Sequence, residues 1–142
     1  MTKMSLIIPD GPFGQRVRRR LETETVAWLT TVRSDGTPQA SPIWFWWDRD
    51  TILIYSKDPT ARLRNLARSA AASFHFDSNG HGGDIVILEG TAEVSDDPVA
   101  TQVPEYLKKY RSEISGIGHD PDTFAVAYPT PLRFTPMRLR GF

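Results

Sequence analysis

Between Thr25 and Ser56 the chain writes three alternating apolar segments separated by only a few residues each. Val26, Trp28, Thr30 and Val32 alternate in the first. Ile43, Phe45 and Trp47 oppose Trp44 and Trp46 in the second, which runs over Gln39–Trp47. Thr51–Ser56 is the third. Period-2 patterning in Val, Ile, Thr and aromatic residues is the signature of strands. Asp35-Gly36 supplies a tight-turn signal, and Asp48-Arg49-Asp50 the second reversal. Connections this short join only antiparallel neighbours, so the spacing predicts an antiparallel meander.

The flanking segments complete the frame. Phe13, Val17 and Leu21 recur at helical spacing, giving a helix over about Phe13–Glu22 with Arg18-Arg19-Arg20 mostly on its solvated side. Asp58-Pro59 reads as an N-cap followed by the first helical residue, and Leu63, Leu66, Ala67 and Ala70 form the buried stripe after it. Ala71–Asp77 and Asp84–Ser95 read as strands. The run Ile85–Leu88 suggests burial on both faces. Asp97-Pro98 repeats the cap signal, Pro104 opens a helix to about Glu113, and Asp120-Pro121 opens another. Leu132–Arg140 is the last strand, with Pro136 at an edge or bulge. Six short strands with helices at the connections point to a mainly β protein with short helices, a small closed or split barrel. At 142 residues this is a single domain over 1–142, of which 1–24 is an N-terminal segment and helix.

Several chemistries are excluded. There is no cysteine, hence no thiol nucleophile, disulfide or thiolate-held metal. The three histidines, His75, His81 and His119, have no metal-ligand spacing to carboxylates, and His75 sits between Phe74 and Phe76 as a structural residue. No phosphate-binding glycine loop or nucleophile-elbow motif occurs. Net charge is zero, which argues against nucleic acid or a membrane surface as partner. No apolar run reaches membrane-span length, and a cytoplasmic location is expected. The balance hides an asymmetry: residues 1–70 carry 11 basic and 7 acidic groups, and residues 71–142 carry 6 and 10. An anionic ligand belongs with the first half.

Two stretches could bind one. At Tyr55–Leu66 a strand runs into a helix start surrounded by Ser56, Lys57, Thr60, Arg62 and Arg64. Cations are unfavourable in a first helical turn unless an anion such as phosphate shares the site. The competing reading is that Arg62 and Arg64 are surface arginines partnered by Asp58. In Gln39–Trp47, Pro42 interrupts the ladder, so a flat ring could lie against the strand's free backbone groups. The alternative is an aromatic core or subunit face. Both faces of this strand are too apolar for one barrel to cover, which predicts a partner subunit against one of them.

Together these pieces resemble the pyridoxamine-phosphate-oxidase-like split β-barrel superfamily, of FMN-binding type, and within it the actinobacterial branch of deazaflavin (F420)-dependent oxidoreductases. The resemblance runs from Thr25 to Phe142 and rests on Ala27–Val32 before Asp35-Gly36, Pro42–Phe45, Ser56–Leu66, Glu89–Ala92, Tyr106–Tyr110 and Arg133–Phe142. It implies a six-stranded barrel and a homodimer with cofactor sites at the interface. It implies F420, or alternatively FMN, held by Ala40, Ser41, Pro42 and Ile43 at the ring and by Tyr55, Ser56, Lys57, Ala61, Arg62 and Arg64 at the phosphate. Lys57, Arg62, Arg64 and the Arg16–Arg20 helix would suit the deazaflavin's oligoglutamate tail. The implied activity is hydride transfer between reduced F420 and a small unsaturated or quinone-like substrate, with no catalytic acid or base named. An FMN oxidoreductase of the same fold, or a non-catalytic cofactor or tetrapyrrole carrier, is the alternative. The substrate arginine–histidine set of the vitamin B6 oxidases has no counterpart near Arg138 and Arg140.

Overall fold

The computed structural model describes residues 6–142. Helix α1 (Pro12–Thr23) precedes β1 (Ala27–Val32), and the Asp35-Gly36 turn delivers β2 (Pro38–Ile43). Gly36, with φ 86°, adopts the left-handed conformation the turn requires. The expected second strand does not run unbroken to Trp47. It stops at Ile43 and resumes as β3 (Trp46–Trp47), which pairs with β4 (Ile52–Ser56). After α2 (Ala61–Arg68) come β5 (Ala71–His75), β6 (Val86–Val94), α3 (Pro104–Gly116), α4 (Pro121–Ala127) and β7 (Thr130–Gly141).

The seven strands of the described residues join one curled antiparallel sheet in the order β2-β1-β5-β6-β7-β4-β3. Its two edges are the two halves of the single segment 38–47. That is why there are seven strands and not six, and why the expected meander is two hairpins. The break falls at Trp44-Phe45, where Phe45's backbone leaves the ladder for other partners. Its N–H donates to the Tyr110 hydroxyl at 2.7 Å, and its carbonyl accepts from Lys109 Nζ at 2.7 Å. The Tyr110 proton is then free for Thr25 O, also at 2.7 Å.

The alternation through the break persists. Ile43 and Phe45 are buried inside the sheet with Leu29, Ile52, Ile54, Phe74, Leu88 and Phe134, and Trp47 packs beside them. Trp44 and Trp46 pack on the other side, against Leu53, Tyr55, Tyr106, Tyr110 and Phe124. Trp44 stacks on Tyr110 with ring centroids 4.9 Å apart and planes 8° off parallel. The chain's own α3 and α4 therefore cover the face for which a partner subunit was expected. Conversely, in the Ile85–Leu88 run only Val86 and Leu88 are buried, and the other two remain half-exposed.

Other local differences have plain causes. Arg20 is no solvated residue: its guanidinium is buried and ties α1 to Asp84 O (2.8 Å) and Asp77 O (2.7 Å). Arg16 pairs with Asp84, and Arg18 donates to Ile8 O, so these residues of the helix are engaged within the chain. Ala67 is exposed, and Asn65 takes the inward place beside Leu66. Asp97 caps no helix but pairs with Arg133 Nη2 at 2.7 Å. Pro136 does mark a bulge: Glu89 pairs with Arg138 but Gly90 with Pro136. No helix among the described residues is long and apolar enough to cross a membrane.

Candidate functional site

Strand β4 ends at Ser56, and the chain turns through 57–60 before α2 begins at Ala61. The cap is Thr60, not Asp58. Thr60 has extended backbone (φ −141°, ψ 161°), and its Oγ1 accepts the Leu63 N–H at 3.2 Å. Asp58 and Pro59 lie outside the helix. Arg62 is consequently its second residue, in a first turn that contains no acid.

The side chain of Arg62 folds back between strands. Nη2 donates to Ser41 Oγ on β2 at 2.7 Å, and Nη1 to Ser56 Oγ at 3.2 Å. Ser56 in turn donates to Lys57 O. The Nε is buried without a partner among the described residues. Among the described residues Arg62 has no carboxylate partner, so the reading in which Asp58 pairs with it does not hold. Burial lowers its pKa from the ordinary arginine value. A guanidinium stays charged even so. A cation partly withdrawn from water and met only by two hydroxyls is an incomplete arrangement, because charges removed from solvent ordinarily have a counter-charge.

Two openings meet at this residue. One is a cleft of about 190 Å³ lined by Thr31, Gln39, Ser41, Thr60, Ala61 and Arg62, at the N-terminal end of α2. Asn65 fixes its polar wall by donating to Thr31 Oγ1 (3.0 Å) and Gln39 Oε1 (2.9 Å). The other is an aromatic cavity of about 270 Å³ whose walls include Pro42, Ile43, Trp44, Tyr55, Tyr106 and Phe124. Lys57 reaches over the Tyr128 ring at its margin, with Nζ 5.3 Å from the centroid. The site thus has an anion-seeking half and an apolar half, joined by one guanidinium.

The edge strand adds backbone. In the β1–β2 ladder, Arg33 N–H bonds Thr37 O, so Gln39, Ser41 and Ile43 turn their amides toward β1. Pro38, Ala40 and Pro42 face away, and as prolines two of them carry no N–H. Ala40 is left as the outward backbone donor of β2, and its side chain is exposed. Eight of the ten residues expected at the site lie on the two openings, on this edge or on the connecting loop, and Ser56, at the end of β4, joins them through its bond from Arg62. Arg64 is exposed on α2 and lines neither opening. The sequence reading missed Thr31, Gln39 and Asn65, polar residues with no motif, and the cavity's Phe124 and Tyr128, which come from a distant helix.

A family model described as pyridoxamine 5'-phosphate oxidase matches residues 13–137. The chain belongs to the pyridoxamine 5'-phosphate oxidase family. Solved structures of this fold agree with the assignment. One titled F420 reductase superposes with a TM-score of 0.72 at 20% identity, covering 94% of this chain and 98% of that one. A FAD-binding protein from Mesorhizobium loti gives 0.62 at 16%, over 86% and 88% of the two chains. The heme storage protein HutZ from Vibrio cholerae gives 0.64 at 12%, over 89% and 92%. Membership in the pyridoxamine 5'-phosphate oxidase family fixes the fold, while the similar structures carry names for three different ligands.

Proposed function

We propose that the protein is an F420-dependent oxidoreductase, moving a hydride between the deazaflavin and a small unsaturated or quinone-like molecule. The observation that carries this is the Arg62 guanidinium, partly buried, without a carboxylate, and shared between a polar cleft and an aromatic cavity. Its orphaned Nε and the Ser41 hydroxyl fit a phosphate oxygen set. The N–H groups at the start of α2 favour the same charge. Ala40 to Ile43 and Tyr55 offer a backbone edge and an apolar wall for a flat ring, and Lys57 lies beside them. The similarity to a structure titled F420 reductase supports the choice of deazaflavin over FMN.

When bound, the deazaflavin supplies the hydride chemistry. The chain's residues do the rest: Arg62 anchors and orients the anionic part, Pro42, Ile43 and Tyr55 exclude water, and the strand edge fixes the ring's approach. We assign no catalytic acid or base. The functional unit proposed is a homodimer, with the free β2 edge and the half-exposed Ile85 and Ile87 turned toward the second subunit, and with the cofactor sites between the two.

The test is a fluorescence titration of the apoprotein with F420 and with FMN, alongside light scattering at micromolar protein. Micromolar F420 binding by a dimer is expected. Binding of FMN with none of F420 would overturn the deazaflavin and leave a flavin enzyme. Binding of neither would remove the site.

A further inference from the structure

The loop that joins β5 to β6 carries Asn79-Gly80 in its exposed part. Its two ends are fixed. Arg20 donates to Asp84 O and Asp77 O, and Asn79 N–H bonds Gly83 O at 3.0 Å. Within that frame the Asn79 side chain has one defined orientation. Its Oδ1 accepts the backbone N–H of His81 at 2.8 Å and that of Gly83 at 3.1 Å. Two donors on one atom identify it as the amide oxygen and not the nitrogen. Gly83 makes room for the carboxamide by having no side chain: a Cβ there would lie 2.7 Å from Asn79 Nδ2.

This geometry prepares a reaction within the loop. When the Gly80 nitrogen adds to the side-chain carbonyl carbon of Asn79, negative charge gathers on Oδ1. The two N–H groups already point there. The nucleophile is unshielded as well. Gly80 has φ 90°, and no atom of the described residues lies within 4 Å of where a Cβ would sit. Its N–H donates to Ser78 Oγ at 3.1 Å, which gives the departing proton a hydroxyl to pass to. Asn65, the other asparagine of the chain, offers the contrast. It is buried in α2, precedes Leu66, and donates from Nδ2 to Thr31 and Gln39.

We propose that Asn79 is a self-modification site, at which the loop converts asparagine to aspartate with loss of ammonia. The bond from Gly80 N to Asn79 Cγ forms and the Cγ–Nδ2 bond breaks. The amide proton of Gly80 departs with the NH2 group as ammonia, leaving a cyclic imide that takes up one water. Opening at Cγ gives ordinary aspartate, and opening at the main-chain carbonyl gives isoaspartate. The His81 and Gly83 N–H groups decide between them. They polarise the carbonyl at Cγ, and they hold a carboxylate more strongly than the amide it replaces. The 17 acidic groups become 18 against 17 basic ones, so a neutral chain becomes an anion. None of this depends on the cofactor reading above.

The intact protein is aged at neutral pH and followed by isoelectric focusing and peptide mapping. An acidic form should accumulate, carrying the amide-to-acid mass change at position 79. Conversion there should be at least about tenfold faster than at Asn65. The isoaspartate share, read with isoaspartyl methyltransferase, should be lower in the folded protein than in the chain aged in urea. Asn79→Asp should melt at or above the parent, because the carboxylate keeps both bonds. Asn79→Gln, whose longer side chain would close a larger ring, should not acidify. Equal rates at Asn79 and Asn65, an isoaspartate share unchanged by urea, an Asn79→Asp variant melting below the parent, or equal acidification of Asn79→Gln would each overturn the proposal.

Discussion

Arg62 on α2 donates to Ser41 on the edge strand β2 at 2.7 Å, tying the start of a helix to a strand 21 positions earlier in the chain. This bond spends one arm of the guanidinium on a neutral hydroxyl and leaves the charge itself unanswered. Arg62→Met keeps the stem and removes the charge. Its affinity for F420 should fall by about 1.5–3 kcal/mol, the range for hydrogen bonds to charged groups. Stability of the apoprotein should hold or rise, because a partly buried cation without a counter-charge has been removed. An equilibrium titration and a melt on two proteins decide it. Unchanged affinity with a clear loss of stability would make Arg62 a structural residue.

The sequence made the strands legible and hid where one of them breaks. Alternation survives the break at Trp44-Phe45, because Ile43 and Phe45 go inward and Trp44 goes outward on either reading. Periodicity reports which face a side chain takes, not which neighbour the backbone chooses. The displaced helix cap has a similar origin: Asp58 and Thr60 belong to the same class of capping residue, and only backbone angles separate them. Arg62 could be singled out because a cation in a first helical turn is anomalous by itself. Asn65 could not, since the reason it matters is a pair of partners far along the chain.

Lys109 gives the fold a pH dependence. Burial pulls its ammonium down from 10.5 to about 7, against the opposing pull of Glu113 and Glu24. Below the folded value both states carry the proton, and the penalty is constant. Between about 7 and 10.5 the unfolded chain binds the extra proton, so stability rises with pH across that window. Above it the buried tyrosines reverse the slope. Tyr55 is pushed up to about 12, mainly by burial, and an unfolded tyrosine ionises sooner. Melting temperature recorded from pH 6 to 11 should climb and then fall. Lys109→Met should abolish the climb and spare the fall, and a slope unchanged in that variant would refute the assignment.

Gly90 permits the β6–β7 bulge. A Cβ there would lie 2.0 Å from Thr135 O and 3.0 Å from its carbonyl carbon, both backbone atoms that cannot step aside. Gly90→Ala should cost about 3 kcal/mol or more, or prevent folding. Urea unfolding checks the first outcome and soluble yield the second. A variant within about 1 kcal/mol of the parent, the typical cost of a point substitution of any kind, would mean the bulge relocates freely.

Arg133 bolts three segments together. It holds Asp97 with two bonds, at 2.7 and 2.9 Å, and reaches Asp48 and Thr51 from β7. That guanidinium keeps the Asp97 carboxyl below the usual range. Its share of stability is therefore present at neutral pH and is lost as acid protonates Asp97. Arg133→Met should cost about 2 kcal/mol at pH 7, less than a fully buried pair because both side chains retain some water. At pH 3 the gap between variant and parent should narrow, and a gap that stays constant would point to packing instead.

The segment 38–47 has a mechanical meaning beyond its share of hydrogen bonds. Because one covalent run supplies both edges of the sheet, the seam of the barrel is laced by the polypeptide itself. Pulling those edges apart stretches a chain instead of unzipping a ladder. The knot is Tyr110, which grips Phe45 within the lace and Thr25 just before β1. A circular permutant opened between Trp44 and Phe45 would keep every strand and every connection elsewhere, yet leave the two edges of the curled sheet untied. Both openings that meet at Arg62 draw lining from this lace, so the same cut would leave each of them with one wall adrift.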